Sequence, residues 1–204
     1  MSNLTEAILA ASLGVVTLLF GINEIKRNEA TQKQMTESAQ LNSVAEAVQS
    51  YVANNQSALT LQAVAEGGSP ITIPLSVLVA KGYLPTSLLS GTAMRHSIAV
   101  GVAAAVSGQG LVCLVVTSPQ TISGTLVGKA VQPRILHELA SRSPVANAGG
   151  YTDVDAGGAA IYRSNGTSWS YPAAPWSTAG FNTAPGFPVY NACIGTFLAG
   201  TSGG

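Results

Sequence analysis

Residues 5–34 read TEAILAASLGVVTLLFGINEIKRNEATQKQ, and this stretch decides what kind of chain follows. An apolar run begins directly after Glu6 and stops at Asn23, interrupted only by Ser12, Thr17 and two glycines. Small and hydroxyl residues of this kind are tolerated in membrane helices, where they let helices approach closely. At 1.5 Å per residue the run 7–22 covers roughly 24 Å, a little short of the hydrocarbon thickness of a bilayer. It predicts a short membrane helix or the core of a helical bundle.

The flanks of the run do not fit a secretory signal peptide, which needs a basic segment before it. Here MSNLTE is acidic, and Lys26 and Arg27 come after the run. Read literally, the positive-inside rule places everything downstream in the cytoplasm. That conflicts with a disulfide between the two cysteines, Cys113 and Cys193. The conflict disappears if a basic leader once preceded Met1, so the expectation is a processed product.

The helix continues beyond Asn23. Glu24, Lys26, Arg27, Glu29, Lys33 and Glu37 form a charged, helix-favouring stretch without Pro or Gly, and Glu29 and Lys33 stand in the favourable i, i+4 order. Leu41, Val44, Ala45, Val48 and Val52 then recur on one helical face. Asn54-Asn55 is a stop, since Asn tolerates a left-handed cap. A helix from residue 4 to residue 54 would be about 75 Å long. Its first half needs lipid or other helices on all sides. Its second half, 35–54, needs a globular head on one side.

Composition narrows the function. Charged residues make up 9% of the 204, against about a quarter in ordinary soluble domains, and the formal net charge is zero. Nucleic acid selects basic patches, so it is not an expected partner. Disorder needs low hydrophobicity and high charge, and this chain has neither. A neutral, low-charge chain is poorly protected against self-association. Assembly is the favoured reading, ahead of an ordinary extracytoplasmic domain. Neither cysteine belongs to a C-x-x-C pair, and His96 and His137 have no ligand spacing around them, so no metal or cofactor is expected. One disulfide in an oxidising compartment is preferred to two buried thiols.

In the head, residues 55–204, Gly67-Gly68-Ser69-Pro70 is a break. Ile71-Thr72-Ile73 reads as a strand, and Pro74 opens a short helix that ends at Gly82 and Pro85. SIAVGVAAAV, SGQG and LVCLVV form a hairpin with its turn at 107–110, and its near-continuous apolarity marks central strands covered by the long helix. Residues 133–140 read as a helix with Pro in its first turn. Residues 159–171 read as a second hairpin around Asn165-Gly166. From Ser143 onward Gly, Pro, Asn, Ser, Thr and aromatics dominate, which predicts a loop-rich region with little core of its own, tied back by Cys193.

No nucleophile elbow, P-loop, dinucleotide fingerprint or H-E-x-x-H motif is present, and the chain reads as a non-enzyme. Asp153 and Asp155 could hold Ca²⁺ through oxygen ligands, but a solvated turn is the preferred reading. His137 and Glu138 read as surface residues rather than an acid–base pair. Trp169, Tyr171 and Trp176 have two readings. Exposed, they would form a platform for a glycan or receptor. Buried, or at a subunit contact, they would staple the loops, and this is preferred.

The whole pattern resembles the type IV pilin superfamily, and its type IVb branch in particular. The resemblance rests on Glu6, the run 7–22, the amphipathic continuation to Asn54 and the pair Cys113/Cys193. It extends to ITIPLSVLVAKGYLPTSL and the Gly/aromatic segment after the hairpin, which follow the order seen in shufflon-type minor pilins of conjugative pili. Glu6 is sixth from Met1 and fifth only from Ser2, whereas the family has its Glu at position five, and the usual Pro near the end of the run is absent. The type IVb branch often lacks that Pro, and its mature chains often begin with Met.

The resemblance implies an α+β fold with a long helical spine on an antiparallel sheet and a disulfide-closed C-terminal region. It implies a helical homo-oligomer, held in the inner membrane before assembly machinery moves it into an extracellular filament. It implies that Glu6 pairs with the terminal amine of a neighbour, methylated and carried by Met1 or Ser2. Ala10, Ala11, Ser12, Gly14, Leu18 and Phe20 would pack the filament core, and Gly21 would let the spine bend. Surface attachment or conjugative contact is the implied role. The alternatives are a minor tip pilin that binds a recipient surface, and a membrane-tethered periplasmic binding domain that never polymerises.

Overall fold

A computed structural model describes residues 2–105, 110–142, 149–166 and 168–193, with the backbone alone described for 2–23. The chain opens with one α-helix, α1 (Ser2–Asn54). It ends where the Asn pair predicts, and Asn55 Nδ2 donates to the Tyr51 carbonyl at 2.7 Å. Residues 24–36 stand clear of the head, and burial begins abruptly at Glu37. From there Leu41, Val44, Val48 and Val52 are fully buried, the stripe the spacing predicts. Each such side chain contributes about 1.5–3 kcal/mol of transfer free energy.

The remaining elements follow in order. They are α2 (Gln56–Ala65), β1 (Ile71–Ile73), α3 (Leu75–Ala80), β2 (His96–Ala104), β3 (Leu111–Ile122), β4 (Thr125–Val127), α4 (Pro133–Ser141), β5 (Gly149–Val154), β6 (Ala160–Ser164), β7 (Ser170–Pro172), α5 (Ala174–Thr178) and β8 (Pro188–Asn191). The fold class is α+β. The strands form one antiparallel sheet in the order β1-β2-β3-β8-β5-β6-β7, with β4 paired to the far end of β3. The β2–β3 hairpin has the register Ala104↔Leu111 to His96↔Pro119, and most of its predicted turn lies outside the described residues.

The unbroken apolarity of β3 has a direct cause. Successive strand side chains point to opposite faces. Leu111, Cys113 and Val115 join the core beneath α1, whereas Val112, Leu114 and Val116 join a second core on the other face. That second core is aromatic: Tyr162, Trp169, Trp176 and Phe181. It comes so close to β2 that only glycine fits at position 101, where a Cβ would meet ring atoms of Phe181 and Trp176 at 2.5 Å.

The C-terminal region therefore differs from the expected loop-rich segment. It supplies four strands and the second core. The reason is β8, which lies between β3 and β5 and carries the β5–β6–β7 meander into the main sheet. Cys113 and Cys193 form a disulfide, with Cα atoms 5.2 Å apart, beside β8 on the α1 side of the sheet. It closes a loop of 80 residues, which contributes about 4 kcal/mol in the chain-entropy account.

Candidate functional site at the spine–head junction

The point where α1 enters the head holds the most chemically distinctive cluster in the described structure. Glu37 and His96 are both fully buried. Glu37 Oε1 lies 2.9 Å from His96 Nδ1, and its Oε2 accepts the Met94 backbone N–H at 3.0 Å. One turn along α1, Gln40 Oε1 accepts the Ala93 N–H at 2.8 Å. The segment before β2 is thus stitched to α1 by three hydrogen bonds, and Thr92 Oγ1 accepts the His96 N–H at 3.1 Å.

The far ring nitrogen of His96, Nε2, lies 3.2 Å from the Lys129 carbonyl. A carbonyl only accepts, so Nε2 carries a proton. The nearer nitrogen, Nδ1, faces the Glu37 carboxyl. The edge of the ring packs against Phe187, centroids 5.5 Å apart. A charge pair taken wholly out of water costs several kcal/mol per ion unless every polar atom is matched. Here both carboxylate oxygens and both ring nitrogens have partners.

Tyr190 of β8 completes the junction. Its hydroxyl donates to the Leu139 carbonyl at 2.9 Å and lies 3.5 Å from Ser38 Oγ. Burial pushes the phenol above its usual range; the Ser38 contact opposes this, and the nearby Glu37 carboxylate adds to it. One residue pair on α1, Glu37 and Ser38, therefore touches the segment before β2 and the strand that anchors the C-terminal half.

Glu37 belongs to the charged stretch that begins at Glu24, yet it is buried while Glu24, Lys26, Arg27, Glu29 and Lys33 are exposed. The signal lay in the spacing: residue 37 is four before Leu41 and seven before Val44, on the buried stripe itself. Its partner, 59 residues away, has no local signature. Glu29 and Lys33 do pair on the surface, at 2.6 Å.

The aromatic trio lies in the interior, the reading preferred from the sequence, and not on an exposed platform. Trp169 and Trp176 are 7% and 4% exposed, so they are core residues rather than a binding platform. Trp169 stacks on Tyr171, which is half-buried and whose hydroxyl accepts from Asn191 Nδ2 at 3.1 Å. Burial raises the Tyr171 phenol above its usual range, and that hydrogen bond opposes the rise. Trp176 meets Tyr162 and Phe181 edge-on. Burial likewise pushes the Tyr162 phenol up, and its hydroxyl donates to the Asn182 carbonyl at 2.7 Å. These rings hold the second core together.

Asp153 and Asp155 do not converge. Asp153 pairs with Arg163 at 3.2 Å, and Asp155 Oδ1 accepts the backbone N–H groups of Gly157 and Ala159 in a local turn. His137 is an exposed residue bonded to Asn165, while Glu138 pairs with Arg142. Among the described residues no three His, Cys, Asp or Glu side chains gather as a metal would require. Among them, too, no helix is long and apolar enough to cross a membrane. The residues assigned to assembly (Met1, Ser2, Glu6) and to filament-core packing (Ala10, Ala11, Ser12, Gly14, Leu18, Phe20, Gly21) lie outside the residues whose side chains are described.

No protein-family model, no curated protein and no solved structure matches the chain.

Proposed function

We propose that this chain is a structural subunit of a type IV, type IVb-like pilus filament, without enzymatic activity, that serves surface attachment or conjugative contact. The observation that supports it most is the division of α1. One continuous helix contains the apolar run 7–22, is largely exposed over 24–36, and is buried against the head from Glu37 onward. The run, apolar on nearly all sides, is covered in this reading by lipid or by other helices. In this reading the run waits in the inner membrane and moves into a helical bundle at the filament axis. Glu6 meets the amine of a neighbour there and sets the register. The junction at Glu37 and His96 transmits that register to the head. Trp169 and Trp176 are buried, so the tip-adhesin alternative would need other residues for its contact.

The test is Glu6→Ala in cells that express the full chain, with surface filaments counted by electron microscopy. Loss of filaments while the protein persists in the membrane fraction is the expected result. Normal function without filaments, in wild type and variant alike, identifies the tethered, non-polymerising alternative instead.

A further inference from the structure

Asn165-Gly166 is the one Asn-Gly pair in the chain. It stands directly after β6, in the bend that leads toward β7. The Asn165 N–H donates to the Gly149 carbonyl at 3.2 Å, and the Gly166 N–H donates to the Ser164 carbonyl at 2.8 Å. Gly166 is exposed and has a φ of +146°, and a Cβ built on it would meet nothing within 4 Å. Water therefore reaches the peptide bond between the two residues.

The Asn165 carboxamide is held across the bend by a single residue of α4. Its Nδ2 donates to the His137 carbonyl at 3.0 Å, which fixes which end of the amide is nitrogen and which is oxygen. The other end, Oδ1, lies against His137 Nδ1. A carboxamide oxygen only accepts, so Nδ1 carries the proton and donates it. The imidazole is itself seated edge-on against Tyr151, centroids 5.1 Å apart. A donor aimed at Oδ1 draws electron density from Cγ, and it stands where negative charge would gather if Cγ were attacked.

We infer that Asn165 is a site of spontaneous covalent modification, in which the Gly166 backbone nitrogen attacks Asn165 Cγ and His137 stabilises the charge that develops on Oδ1. The bond from the Gly166 nitrogen to Cγ forms, and the bond from Cγ to Nδ2 breaks. The Gly166 proton leaves with Nδ2 as ammonia, and a five-membered succinimide remains. Water then opens either carbonyl of that ring, which leaves aspartate or isoaspartate at position 165. Glycine at 166 permits the attack, because a side chain there would crowd the nitrogen. The attack takes the Gly166 N–H out of its bond to Ser164, so it waits on a local opening of an exposed bend, the kind of opening that costs least in a folded chain. The product changes how the β5–β6–β7 meander meets α4. A carboxylate has no N–H to offer the His137 carbonyl, and isoaspartate lengthens the backbone of the bend by one carbon. None of this depends on assembly.

The test is peptide mapping by mass spectrometry on the full chain, held folded in detergent and mildly alkaline buffer for days. The peptide that contains residue 165 should gain one mass unit in ordinary water and three in heavy-oxygen water, and should split into an aspartate and an isoaspartate form. It should do so faster than any peptide that carries another asparagine. His137→Ala should slow the gain severalfold. If that variant loosens the head, His137→Phe decides, since it keeps a ring beside Tyr151 and removes the donor. Absence of the gain in the wild-type chain overturns the site. A rate in His137→Phe equal to or above the wild-type rate overturns the part given to His137.

Discussion

Glu37 opens an otherwise apolar stripe on α1 and does so inside the head. A buried pair of this kind is weak evidence for stability as such, because two well-packed apolar residues often do as well. Its value lies in geometry. The Glu37 carboxyl accepts the Met94 N–H through one oxygen and meets the His96 ring through the other, and both contacts lie at a single strand entrance, which fixes how α1 sits there. Removing one partner leaves the other buried and unmatched. Glu37→Ala and His96→Ala should each cost about 3–5 kcal/mol in urea denaturation of the full chain in detergent, followed by tryptophan fluorescence. The double variant should cost clearly less than the sum. Additive losses would mean the two residues act independently. At this scale the sequence held half of the answer: the stripe places residue 37 in the core, but nothing near it indicates that His96 waits on the other side.

At the scale of elements, several signals are local. The β2–β3 and β6–β7 hairpins and α4 carry their signals within a dozen residues, as two apolar runs, an Asn-Gly turn and a Pro in the first helical turn. Elements whose identity depends on distant partners were not visible. The four residues of β8 become a central strand only because β3 and β5 flank them. The α2 helix lies directly behind the Asn pair that stops α1, in a stretch to which the sequence reading assigns no element. Gly101 belongs to this scale, since it lets the aromatic layer seat on β2. Gly101→Val should destabilise the head by about 1–3 kcal/mol or more through overpacking against Trp176 and Phe181. The same substitution at Ala99, half-buried on the same face, should cost less. Equal costs in thermal unfolding would contradict tight seating at residue 101.

Across the whole molecule, the head is a sheet with a core on each face, and its two halves are joined three times. Strand β8 pairs with both β3 and β5, Tyr190 reaches toward α1 and α4, and the disulfide ties Cys193 to Cys113. A rigid head fixed to the rear of a helix suits a part that must hold its orientation when repeated many times. The composition says the same in its own terms. A chain with zero net charge and 9% charged residues has little to keep copies apart.

The account turns on where the run 7–22 ends up. The most direct measurement is electron cryomicroscopy of filaments sheared from cells that express the full chain, with helical reconstruction to side-chain detail. The account predicts apolar helices bundled about the axis, Glu6 beside a neighbour's amine, and heads outside with Glu37 and His96 still paired. Copies found singly in the membrane, or filaments held together by the heads with the apolar helices away from the axis, would contradict it.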